Sequence, residues 1–129
     1  MATFTRPNDT QITIGPSSVA RARRTLRNEI DDNPGHEGCA LFSPKQLVME
    51  TIDQVGPALQ QDTPSFDKLH APDGSEVWFD AKKAKDARAP LNSETSDNTK
   101  AVVTVGGTNQ RVCETVADAQ AVIDAARLR

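Results

Sequence analysis

A short phrase occurs twice in this 129-residue chain, and no other feature limits the fold as strongly. Gln46-Leu-Val-Met-Glu-Thr-Ile52 returns as Gln110-Arg-Val-Cys-Glu-Thr-Val116. Each copy opens with an alternation suited to a strand, passes through Glu-Thr, and enters a helical pattern. Thr51 and Thr115 stand where a helix N-cap belongs; three residues later Gln54 completes a capping box and Asp118 a weaker version of one. One strand therefore hands directly to one helix, twice.

Self-similarity of this kind marks a repeated structural unit, and the match extends outward. Arg6-Pro-Asn-Asp-Thr-Gln-Ile-Thr-Ile14 corresponds to Ala71-Pro-Asp-Gly-Ser-Glu-Val-Trp-Phe79, each a Pro-led polar turn followed by an apolar/polar alternation. Val19-Ala-Arg-Ala-Arg23 corresponds to Ala84-Lys-Asp-Ala-Arg88. Three blocks in one order indicate a tandem duplication, with modules over 1–60 and 66–129 and a linker at 61–65. The expected fold class is α+β, rich in β: two similar small modules, each a few antiparallel strands ending in a helix, related by pseudo-two-fold symmetry. Modules this small bury too little surface to stand alone, so they should pack on each other.

Within each module the pattern gives strands near 2–5, 11–14 and 39–42 in the first and 76–79 and 101–105 in the second, with the repeated phrases beginning at 46 and 110 supplying the last strand of each. Residues 17–30 read as helix at one period and as strand at another; a turn of helix followed by a strand reconciles the two copies. Polar loops at 31–38 and 92–100 are the expected mobile or partner-contacting tips. Helices are expected over 52–60 and 116–128, with Gly56-Pro57 shortening or kinking the first.

The aromatic content is Phe4, Phe42, Phe66, Phe79 and Trp78, with no Tyr, so the core must be a thin one of Val, Ile, Leu and Ala. Thin cores are completed by partners, which points to a homo- or hetero-oligomer. Alternation places one ring of Trp78-Phe79 in the core and the other on the opposite face, where Trp78 either marks a contact surface or is covered by the neighbouring module.

The formal charge of −3 opposes bulk attraction to nucleic acid or an anionic membrane. Local charge is less even: Arg21, Arg23, Arg24 and Arg27 cluster in the first module, and Lys82, Lys83, Lys85 and Arg88 in the matching stretch of the second. A solvated face is the simplest reading, a phosphate-binding stripe the sharper one. No apolar run is long enough to span a bilayer and no leader pattern opens the chain, so a soluble, non-exported protein is expected.

Cys39 and Cys113 are the only cysteines, without a Cys-x-x-Cys or a histidine cluster, so no metal is expected. They are read as free thiols, or as a disulfide in an oxidising setting such as an extracellular particle. His36 and His70 lack a nearby nucleophile motif. Val105-Gly-Gly-Thr108 lacks the Lys and following helix of a phosphate loop and reads as a hairpin turn. Glu50 and Glu114 recur at matched positions just before a helix, where the macrodipole favours negative charge.

The module order resembles the small FlbD-type domain, a family of short bacterial proteins associated with flagellar gene clusters. Phe4-Thr-Arg-Pro-Asn-Asp-Thr10 with Val48-Met-Glu-Thr51 carries the likeness in the first half; Leu69-His-Ala-Pro-Asp-Gly-Ser75 with Val112-Cys-Glu-Thr115 carries it in the second. The resemblance implies a fold and transfers no catalytic residue.

Together these features give the expectation of a non-enzymatic structural or assembly protein without cofactor, a phage virion component such as a capsid decoration, neck or tail protein. Its partners are protein subunits, and Trp78, Arg21, Arg23, Arg24, Lys82 and Lys83 are the candidate contacts. The alternative is a small cytoplasmic regulator that binds nucleic acid or a transcription component through Arg21 to Arg27 and Lys82 to Arg88.

Overall fold

The computed structural model describes residues 2–6, 10–14, 19–24, 38–42, 46–72, 74–91 and 98–128. The loop tips at 31–37 and 92–97, with His36 and Arg27, lie outside them. Alternating, β-branched segments become strands: β1 (Ala2–Thr5), β2 (Gln11–Ile14), β3 (Arg21–Arg24), β4 (Cys39–Phe42) and β5 (Gln46–Val48) lead into helix α1 (Ile52–Asp62). Then β6 (Phe66–His70), β7 (Glu76–Asp80), a 3-10 turn (Ala81–Lys83), β8 (Ala101–Val105) and β9 (Thr108–Val112) lead into helix α2 (Val116–Arg127). The architecture is α+β and β-rich, with every strand pairing antiparallel.

Both helix starts form as their sequences require. The Gln54 side chain accepts from Thr51 N–H at 3.2 Å, and Thr115 Oγ1 accepts from Asp118 N–H at 3.2 Å. Pro57 does not shorten α1, which runs five residues beyond it to Asp62. The connection at 61–65 is correspondingly tighter than a linker. Thr63 N–H bonds Leu59 O at 2.8 Å, Ala81 N–H bonds Ser65 O at 3.0 Å, and the buried Ser65 hydroxyl donates to Asp80 Oδ1 at 2.5 Å.

The strands form a central sheet in the order β5-β4-β3-β7-β6, flanked by the two-stranded sheets β1-β2 and β8-β9. The two halves of the chain meet in the middle of the central sheet, because β3 pairs with β7 through Arg21↔Phe79, Ala22↔Trp78 and Arg23↔Val77. They pack on each other as expected, through shared apolar clusters, and are in addition joined edge to edge in one hydrogen-bonded sheet. Residues 21–24 are strand, and the second half supplies a 3-10 turn followed by an extended stretch whose Ala84 and Arg88 bridge to Val105 and Val102 of β8.

Each face of the central sheet is covered by a different helix. Val55 and Leu59 of α1 pack on Phe4, Ala22, Leu41, Val48, Phe66 and Trp78. Ala119, Ile123 and Ala126 of α2 pack on Leu69, Phe79, Val103, Val105 and Val112 on the other side. Along β7 this double cover buries Val77, Trp78, Phe79 and Asp80 in succession.

Trp78 is therefore corrected as a candidate partner contact, and the other alternative holds: α1 of the first half covers the ring, which is only 7 % exposed. The two rings do point to opposite faces, but neither face is open. Lys68 Nζ lies 5.8 Å from the Trp78 ring centroid, and the ring lies flush on α1 at Gly56. A Cβ added there would meet Trp78 Cε2 at 2.1 Å and Nε1 at 2.2 Å. Gly56 is thus required by close approach inside a helix where Ala would otherwise be preferred by about 1 kcal/mol.

Gly56→Ala should destabilise the fold by about 1–3 kcal/mol net, because overpacking a filled core outweighs the helix gain. The check is a lower urea midpoint with an unchanged slope.

Candidate functional site

The repeated Glu-Thr step builds one polar feature in each half. Glu50 reaches the end of β1, accepting from Thr5 N–H at 2.8 and 3.1 Å and from Thr5 Oγ1 at 3.1 Å. Glu114 reaches the end of β6, accepting from His70 N–H at 2.9 and 3.1 Å, and its Oε2 lies 2.7 Å from His70 Nδ1. The backbone beside each carboxylate closes the same bridge, with Met49 N–H to Thr5 O at 2.7 Å and Cys113 N–H to His70 O at 2.8 Å. Beyond its place just before a helix N-terminus, each carboxylate clasps the leading strand of its half to the end of its last hairpin. His70 is held in this clasp through both its backbone N–H and its ring Nδ1.

The same correspondence extends to Gln46 and Gln110, which donate from Nε2 to the carbonyls of Leu47 at 2.9 Å and Arg111 at 2.8 Å. Gln110 does one thing more, since its Oε1 accepts from the Arg21 guanidinium across the joint between the halves. Arg21 is 5 % exposed, and burial, with the nearby Arg23 charge, lowers its pKa to about 10. A side chain so enclosed ties β3 to β9 and is not a surface contact, which removes it from the expected set.

The remaining basic candidates do not share one patch. Arg23 is half-buried opposite Val77, while Arg24 is exposed at the next position of β3. Lys82 and Lys83 are exposed on the 3-10 turn beyond the other end of β7. At about 3.3 Å per strand residue, the stretch from Val77 to Asp80 alone puts about 10 Å between the two groups. The sequence stretches correspond, yet antiparallel joining sends their charges to opposite ends of the sheet.

One open cleft of about 400 Å³ is lined by Pro72, Gly74, Asn98, Lys100 and Cys113. Asn98 donates across it to Pro72 O at 3.1 Å, and Cys113 Sγ makes a weak contact to Glu114 Oε1 at 3.9 Å. Among the described residues no group of His, Cys, Asp and Glu is arranged to hold a metal ion, and no helix is long and apolar enough to cross a membrane.

Cys39 and Cys113 are free thiols. Cys39 is wholly buried under α1, and burial, followed by the Glu50 and Asp53 charges, pushes its pKa from 9.0 up to about 12. Cys113 is half-buried beside the cleft.

In the native protein a thiol reagent should label Cys113 alone, and Cys39 only as the chain unfolds, as mass spectrometry of the labelled peptides would show. Because the folded-state value of Cys39 is raised, its contribution to stability is full below pH 9 and is lost as the pH climbs toward 12. Cys39→Ala should therefore flatten the fall of the urea midpoint across that window. For the clasps, Glu50→Ala should cost about 1–3 kcal/mol by leaving the Thr5 N–H without its acceptor, read from the same midpoint.

No protein-family model, no curated protein and no solved structure matches this chain.

Proposed function

We propose that the chain is a non-enzymatic structural protein made of two copies of one small unit, and that it docks onto other protein subunits by adding a strand to a sheet edge. The observation that carries this reading is the internal joint: the halves are united by β7 adding to the edge of β3, where packed faces alone could have served. An unpaired strand edge is a template for another strand, and edge addition is a recurring mode of protein recognition.

The paired clasps of Glu50 and Glu114 and the like bonds of Gln46 and Gln110 support the two halves as counterparts. The expected two-fold relation would need β2 to meet residues 84–88 as β7 meets β3. Only the second of these joints is among the pairings of the described residues, so the halves are read as joined head to tail. Among the described residues this leaves β2 at a sheet edge, and its sequence Gln-Ile-Thr-Ile carries no charge or proline of the kind that blunts such edges. A two-stranded sheet is marginal by itself, so β1-β2 gains most from an added strand.

A virion component, a decoration, neck or tail protein, fits a small scaffold whose recurring polar side chains, Glu50 with Glu114 and Gln46 with Gln110, are spent on holding strands together. In this reading the chain should co-sediment with a large protein assembly from its source, and Thr13→Asp on the β2 edge should release it without lowering the urea midpoint. A nucleic-acid role would be shown instead by DNA binding that weakens steeply with salt, with a slope that flattens when Arg23 and Arg24 are replaced. That result would overturn the proposal.

A further inference from the structure

Residues 84–88 run beside β8, with Arg88 and Val102 exchanging backbone hydrogen bonds at 3.0 and 2.9 Å and Lys85 N–H bonding Thr104 O at 2.8 Å. In the sequence correspondence this stretch is the counterpart of 19–23. The register agrees, since Arg88 faces Val102 as Arg23 faces Ala40. On its other side β3 carries β7. On its other side the 84–88 stretch meets side chains of α2.

Gln120 Oε1 accepts from Ala87 N–H at 2.8 Å. Arg127 donates from Nη2 to Ala84 O at 2.7 Å and from Nε to Ala81 O at 3.2 Å. The same two side chains grip Asp86, whose Oδ1 accepts from Arg127 Nη1 at 2.9 Å and from Gln120 Nε2 at 3.2 Å. Two backbone groups of this stretch, the Ala87 N–H and the Ala84 carbonyl, are thus already taken by α2.

The helix positions explain the difference between the halves. Gln120 is the fifth residue of α2, and Gly56 is the fifth residue of α1. At Gly56 the missing side chain leaves room for the Trp78 ring that arrives with β7. At Gln120 a side chain fills that place and turns onto the strand edge. The incoming strands differ in the matching way: β2 carries Thr13, exposed and facing Thr3 Oγ1 at 3.3 Å, where β7 carries Trp78.

We infer that Gln120 and Arg127 close the 84–88 edge against β2 of a second copy, so that the strand joint made once inside the chain is not repeated from chain to chain. This rests on the reading of the two halves as counterparts. Another copy of this chain therefore offers β2 no open acceptor at its 84–88 stretch. Without the closure, head-to-tail addition would have no natural end, since a heterologous contact that does not close into a ring grows as a filament.

The test is the mass of the Gln120→Gly/Arg127→Ala variant, measured by size exclusion with light scattering over a wide concentration range and with folding checked by circular dichroism. The variant should at least double its mass at high concentration while the wild type keeps its own. Adding Thr13→Asp should return the variant to the wild-type mass, and adding Thr13→Trp should bring association to lower concentration.

A folded double variant with the wild-type mass throughout would overturn the closure. Association that ignores Thr13→Asp would overturn β2 as the incoming strand, and with it the counterpart reading. Thr13→Trp in the otherwise wild-type chain gives a check that does not need the double variant to fold. It should keep the wild-type mass, and self-association of that single variant would sink the inference.

Discussion

The pairing of β3 with β7 is the constraint on which the rest of the molecule depends. It places Ala22 beside Trp78 and Arg21 beside Phe79, so the middle of the sheet is assembled from both halves at once. Everything packed there is shared. Helix α1 of the first half covers Phe66 and Trp78 of the second, and Ala20 of the first half lies in the cluster built on α2. Neither half owns a complete core, which is how units too small to bury enough surface alone become one stable body.

Shared burial also explains which polar groups could be taken out of solvent. Arg21 is buried because Gln110 meets its guanidinium from the other half, and Asp80 because Ser65 and the Lys82 N–H meet its carboxylate. Buried charge and dipole are tolerated where they are bonded. Here those bonds cross between halves or tie the connection to the sheet, so they fix how the halves sit as well as satisfying themselves.

Much of the local structure was legible in the sequence. Thr51 and Thr115 cap helices, the strands near 2–5, 11–14, 39–42, 76–79 and 101–105 form, and the Gly106-Gly107 turn closes the β8-β9 hairpin with φ of 56° and 83°, values that glycine adopts without strain. What alternation could not say is which face of a strand is covered, and by what. Arg21 looked like a surface residue and Trp78 could be read either way, because their faces are closed by elements distant in the chain.

The bonds of Glu50 and Glu114 went unread for the same reason: a carboxylate two residues before a helix has an obvious local role, while its hydrogen-bond partners, Thr5 and His70, lie 45 and 44 residues away. The recurrence of the glutamates at matched positions was the one signal that pointed to a common role. The identity of Gly56 against Gln120 was a second such signal, a mismatch inside an otherwise regular repeat.

The slot over Gly56 has a bearing on how the molecule is made. Trp78 follows α1 in the chain, so a ribosome releases the first half with the β3 edge and the surface beside Val55 and Leu59 still waiting for their cover. Long-range strand pairing of this kind is slow compared with local helix formation, and exposed edges in partly folded chains invite wrong partners. The fold's maturation is therefore paced by the arrival of one hairpin, β6-β7, and translation speed through that region becomes a determinant of yield.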